Sequence, residues 1–166
     1  MRDVGNEGAN RQPSHNEAAA FEASRSDRDR TLDALRALEA ALGAAAHGKE
    51  AEWLKPVTST LLALDEAVVT ERDESLRPDS LLSMIGRDYP RRFGSRVRQL
   101  RDLHDDIARQ VQSLRAQVEQ MDTEAIDVGD LRQRIEWLIR AIYHRRVRES
   151  DLVYEAINLD LGSAIS

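Results

Sequence analysis

Apolar residues along this chain recur at intervals of three and four, the spacing that returns side chains to one face of an α-helix. Four stretches carry the pattern. The first spans about 27–46, with Leu35, Leu38 and Leu42 in register and Gly48 beyond its end. The second spans about 52–76, with Val57, Leu61, Leu64 and Val68 on one stripe. Pro56 falls in its opening turns, where a missing N–H does little harm, and Pro78 forces its end. Leu81, Leu82, Met84 and Ile85 predict a short helical turn before Gly86 and Pro90. The third stretch is the most regular: Val97, Leu100, His104, Ile107, Val111, Leu114, Val118 and Met121. The fourth spans about 129–160 through Leu131, Ile135, Leu138, Ile142, Leu152, Val153 and Ala156. No alternating β-branched run and no Asn-Gly or Asp-Gly turn signals a strand. Four amphipathic helices with short connections predict an all-α protein, an up-down-up-down four-helix bundle over residues 27–160. Residues 1–26, with Gly5, Gly8, Pro13 and no sustained period, predict a flexible N-terminal tail in which helix can begin from Glu17 onward. Residues 161–166 are expected to form a short C-terminal tail.

Composition narrows the chemistry. The 166 residues suit a single domain, and 41% of them are hydrophobic, enough for a core. There is no cysteine, which excludes disulfide frameworks, thiolate zinc sites, iron–sulfur clusters and cysteine nucleophiles. No apolar run approaches the ~18 residues of a membrane span, and no apolar stretch follows Arg2 as in a secretory signal. The expectation is a cytoplasmic protein with no membrane partner. A net charge of −6 repels nucleic acid. The basic stretch Arg87, Arg91, Arg92, Arg96, Arg98 and Arg101 around Tyr89 and Phe93 could hold phosphate, but a solvated helix start, with Arg101 facing Asp105 one turn on, explains it as well. Nucleic acid is therefore not an expected partner. No Gly-x-Ser-x-Gly elbow, phosphate-binding loop or His-Glu-x-x-His is present, and no His follows a Glu by three as ferritin-type iron oxidation requires. The protein is not expected to be an enzyme.

Polar residues interrupt three of the stripes. Val57, Leu61, Leu64 and Val68 continue to Glu71; His104 lies inside an aliphatic run; Ile135, Leu138 and Ile142 continue to Arg145 and Glu149 before Leu152. If the third and fourth helices run antiparallel about the turn near 121–129, facing residues have numbers summing to about 250 at a rise of ~1.5 Å per residue. His104 then faces residue 146, within a turn of Glu149, and Glu71 shares that half of the bundle. Two carboxylates and an imidazole at one level invite a cation, and that ligand set suits iron, manganese or zinc. The alternative is ionic: a carboxylate held by Arg145, Arg146 or Arg148, with His104 a hydrogen-bonded core histidine. His144 lies off the Ile135–Ile142 stripe, toward the surface.

The helix order, the segment Leu103-His104-Asp105-Asp106-Ile107, and Glu149 through Tyr154 resemble the hemerythrin-like (HHE cation-binding) domain over roughly residues 29–160. The resemblance implies a bundle enclosing a non-haem iron pair, and a task in iron, oxygen or redox sensing or storage. Matched by position, it implies metal ligands Glu71, His104 and Glu149, with His144, five residues before Glu149, behind them. The pattern is incomplete. Ala67 stands four before Glu71 where the family has His, Ala34 occupies the first-helix ligand position, and Arg145 takes the fourth-helix His position if the spacing is four. The expectation is a non-catalytic protein whose degenerate iron site binds metal weakly or not at all. The alternative is a metal-free interaction module that acts by homo-oligomerisation or by docking a protein partner.

Overall fold

Residues 15–122 and 124–165 are described by the structure, a computed structural model. The helices are α1 (His15–Gly43), α2 (Glu50–Leu76), α3 (Leu81–Asp88), α4 (Pro90–Glu119) and α5 (Val128–Ile165). Local chemistry sets their ends. Gly48, at φ +73°, makes the turn into α2, a left-handed conformation that costs glycine little. Arg77 precedes Pro78, whose ring excludes helical ψ from the preceding residue; its ψ of 142° closes α2. Ser80 then opens α3, its hydroxyl accepting the Ser83 N–H at 3.2 Å and donating to the Ser75 carbonyl at 2.9 Å. Pro90 stands in the first turn of α4, where no N–H is needed. The Asp127 carboxylate caps α5 by accepting the Asp130 N–H at 3.0 Å.

The long helices form an all-α four-helix bundle, and no strand occurs among the described residues. Each packs against the next, α1 on α2, α2 on α4 and α4 on α5, while α3 lies across one end. Long side chains bridge α1 to α5: Arg132 donates to the carbonyls of Leu42 and Ala44, and Arg146 to that of Arg28. The expected α4–α5 register holds along its length. Arg134 meets Gln117, Arg148 meets Gln99, Arg96 meets Glu155 and Tyr89 meets Asp160, each pair of numbers summing to about 250 as an antiparallel pairing requires.

Two boundaries differ from expectation. α1 begins at His15, two residues before Glu17, from which helix was expected to be able to begin, because Ala18, Ala19 and Ala20 are the strongest helix formers and Ala20 is buried. The remainder of the expected N-terminal tail lies outside the described residues. α5 continues to Ile165, where a tail was expected from 161, and the Tyr89 hydroxyl holds that end by donating to Asp160. No helix among the described residues is long and apolar enough to cross a membrane.

The apolar interior is in two parts. The larger cluster contains Leu35, Leu38, Val57, Leu61, Leu64, Val68, Ile107, Val111, Ile135 and Ile142. The smaller contains Leu82, Ile85, Phe93, Val97, Leu100, Leu152 and Ala156, with α3 as its floor. Leu61 and Ile142 are fully buried, whereas Leu62 is 41% exposed. Leu61→Ala or Ile142→Ala should cost about 2–5 kcal/mol in urea unfolding, and Leu62→Ala well under half as much.

Candidate functional site

Between the two apolar clusters each long helix contributes a polar residue: on α4 and α5 it stands where the stripe passes from one cluster to the other, and on α1 and α2 it lies just beyond the helix's last residue in the larger cluster. On α4 the order is Leu100, His104, Ile107; on α5 it is Ile142, Arg145, Glu149, Leu152; on α2, Glu71 follows Val68; on α1, Thr31 precedes Leu35 by four. Thr31, Glu71, His104 and Arg145 are 0–5% exposed, and the Glu149 side chain is 13% exposed.

Arg145 is the hub. Its Nη2 donates to Glu71 Oε1 at 3.0 Å, and its Nη1 to Glu149 Oε2 at 2.8 Å. Nη1 also lies 3.0 Å from His104 Nε2. The second Glu71 oxygen accepts the Thr31 hydroxyl at 2.7 Å, a hydroxyl also 3.1 Å from the Asp27 carbonyl. A guanidinium has donors only, so the contact with His104 is a bond when Nε2 is unprotonated and accepts.

Burial pushes the Glu149 carboxyl up, but the His104 imidazole and the Arg145 guanidinium, with Arg28 further off, outweigh it and hold the group below the ordinary glutamate range. Asp27, at the layer's edge, moves the other way. Burial raises its carboxyl, Arg30 at 3.6 Å pulls it back only in part, and the Glu71 charge adds to the rise.

The structure thus brings together three of the four residues expected as metal ligands, Glu71, His104 and Glu149, and leaves His144 exposed on the outside of α5. Of the three arginines that could pair with the carboxylates, Arg145 does so. Arg146 turns to the Arg28 carbonyl and Arg148 to Gln99. Thr31 was absent from the expected set, although extending the Leu42, Leu38, Leu35 series back by four reaches it. The cleft beside the layer, bordered by Asp27, Glu74, Ser75 and Ser80, has a cavity of about 20 Å³, one water's volume.

These residues do not fit a non-haem iron pair. The point between Glu71, His104 and Glu149 is taken by the terminal nitrogens of Arg145, so a cation there would meet a fixed positive charge. Among the described residues no group of three or more His, Asp or Glu is placed to hold a metal ion. The basic stretch at the start of α4 is partly spent on the fold. Arg92 and Arg96 lie over the Phe93 ring at 5.6 and 5.7 Å, Arg96 pairs with Glu155, and Arg101 donates to Ser83.

Arg145→Met should destabilise the fold by about 3–5 kcal/mol, because it strands Glu71 and Glu149 without a counter-charge. Adding Glu71→Leu and Glu149→Gln should recover most of that loss in urea unfolding. Glu149 also sets a pH dependence. Its folded-state value lies below the unfolded one near 4.3, so its contribution is complete above that pH and disappears as pH falls through the folded value. Wild type should therefore lose more stability between pH 7 and pH 3 than Glu149→Gln does. Comparison with protein-family models, with curated proteins and with solved structures finds no match, so the functional reading rests on this layer and on the surfaces around it.

Proposed function

We propose that this chain is a hemerythrin-like helical bundle in which the Arg145 guanidinium stands where the family's cation would, and that it works without catalysis as a metal-free interaction module. The single observation that carries the reading is the set of three contacts of Arg145, at 2.8–3.0 Å, with Glu71, His104 and Glu149. A guanidinium supplies the positive charge that the carboxylates need and, unlike a metal ion, offers no open coordination position for oxygen or substrate. The cavity at the layer holds about one water and leaves no space for a substrate. What remains for recognition is the outside of the helices.

Reconstitution with Fe(II) under nitrogen, followed by desalting and iron analysis, tests this directly. Wild type should retain no stoichiometric iron, and Glu71→Ala and His104→Ala should behave the same. One or two equivalents of retained iron, lost in either variant, would show that Arg145 swings aside and that the layer is a working metal site.

A further inference from the structure

The two halves of α1 are held to the bundle very differently. Read at steps of three and four, its inward positions are Ala20, Ser24 and Asp27 in the first half, then Thr31, Leu35 and Leu38. Neither apolar cluster includes an α1 residue before Ala34. Bonds from α1 to the other helices begin at the Arg28 carbonyl, which accepts Arg146 at 2.9 Å, and at Thr31, whose hydroxyl meets Glu71 at 2.7 Å. Among the described residues, the side-chain bonds and ion pairs of 15–27 stay within α1: Arg28 to the Ser24 carbonyl, Thr31 to the Asp27 carbonyl and Arg30 to the Asp27 carboxylate.

The seat of this first half is loose. Ala20, Ser24 and Asp27 face Glu71, Leu82 and Glu149 across a cleft that keeps about 20 Å³ of free space. There the Glu71 charge opposes that of Asp27. Phe21, the one large apolar side chain in 15–27, lies ~100° further round the helix and is 38% exposed. Leu82 and the edge of the charged layer are thus covered by a methyl group and two small polar side chains. Burying a methyl stabilises far less than burying the leucines that anchor the second half. We propose that residues 15–27 form a strap that opens as a unit, hinged between Asp27 and Thr31, while the rest of the bundle stays folded. Closed, it leaves Leu82 2% and Glu71 5% exposed; open, it admits solvent and solutes to both and to Glu149. The strap makes access to the layer a two-state property of the fold. It goes beyond the interaction-module reading and does not depend on whether the layer takes a metal.

Hydrogen exchange read by mass spectrometry on the full chain tests this. An unpacked helical stretch of about 13 residues is marginal in water, so exchange reports the lifting of the strap. Residues 15–27 should be at least ~30-fold less protected than 31–43, yet clearly slower than random coil, with the smaller urea dependence of a local opening. Ala19→Gly, at an exposed position, should speed exchange across 15–27 about fivefold, equivalent to the ~1 kcal/mol that glycine costs in a helix. It should leave 31–43 and the urea midpoint unchanged. With no cysteine in the chain, a single one is a clean probe. Leu82→Cys, beneath the strap, should react with a small thiol reagent many times faster than Val111→Cys, buried in the larger cluster, and Ala19→Gly should speed only the first. Equal protection of the two halves of α1 overturns the proposal. So does random-coil exchange over 15–27, since a strap that is never closed gates nothing. It also fails if Ala19→Gly speeds all slow amides alike, or if Leu82→Cys reacts no faster than Val111→Cys. Iron retained by the layer would leave this inference standing, and a rigid α1 would leave the metal-free reading standing.

Discussion

A guanidinium shut inside a helical bundle is expensive to desolvate, and the position of every long helix reflects how that cost is offset. Arg145 is 2% exposed, yet acceptors from three helices surround its terminal nitrogens. Glu71 comes from α2, His104 from α4 and Glu149 from one turn further along α5. Thr31 of α1 joins at one remove, through the second oxygen of Glu71. Removing any one acceptor leaves a donor or a charge without a partner in low dielectric, where such defects are worth kilocalories. The same contacts discriminate among registers. Sliding α4 past α5 by one turn, ~5.4 Å, would break the His104 contact and bring an aliphatic residue to the guanidinium.

The layer also explains why the interior is in two parts. The residues above it form one apolar cluster, with close approach of α1 and α2 through Ala34, Ala41 and Ala67. Those below it form another, which α3 closes with Leu82 and Ile85. A bundle of long helices with one continuous seam would have no need for α3. Here the smaller cluster is open at the end of the bundle, and the turn between Pro78 and Pro90 is folded into a floor for it. The arginines at the start of α4 take part as well, through their planes over Phe93 and the Arg101 bond to Ser83.

Most of the architecture was legible in the sequence because it is written in periods of three and four, which survive any choice of cap. The helix order, the α4–α5 register and the convergence of Glu71, His104 and Glu149 all followed from spacing. What spacing could not supply was the identity of the cation. Arg145 lies on the α5 stripe between Ile142 and Leu152, so its inward direction could be read. Whether it filled the space between the carboxylates or turned away to leave room for a metal depends on rotamers, which carry no periodic signal. Thr31 was missed for a related reason: a small hydroxyl residue on an apolar stripe looks like a tolerated substitution. Helix was expected to be possible from Glu17 but was not joined to the first stripe, because an alanine-rich segment has helical propensity without an apolar period.

An arginine and a metal ion at the centre of a bundle differ in what they let it do as well as in what they bind. A divalent ion between carboxylates and imidazoles has positions left over, and those positions are where small molecules attach. A guanidinium has its donors in one plane, three of them here directed at Glu71, Glu149 and His104, and it has no coordination position at which a small molecule could attach. Under the metal-free reading, the interior retains the electrostatic logic of a cation site and loses its reactivity, so recognition has to be sought on the exterior. α5 is suited to this by the same periodicity that builds the core. Its inward face carries the arginine that joins the helices, while its outward face, through Val147, Tyr154 and Leu161, keeps a heptad-spaced apolar line that this chain's own core cannot cover.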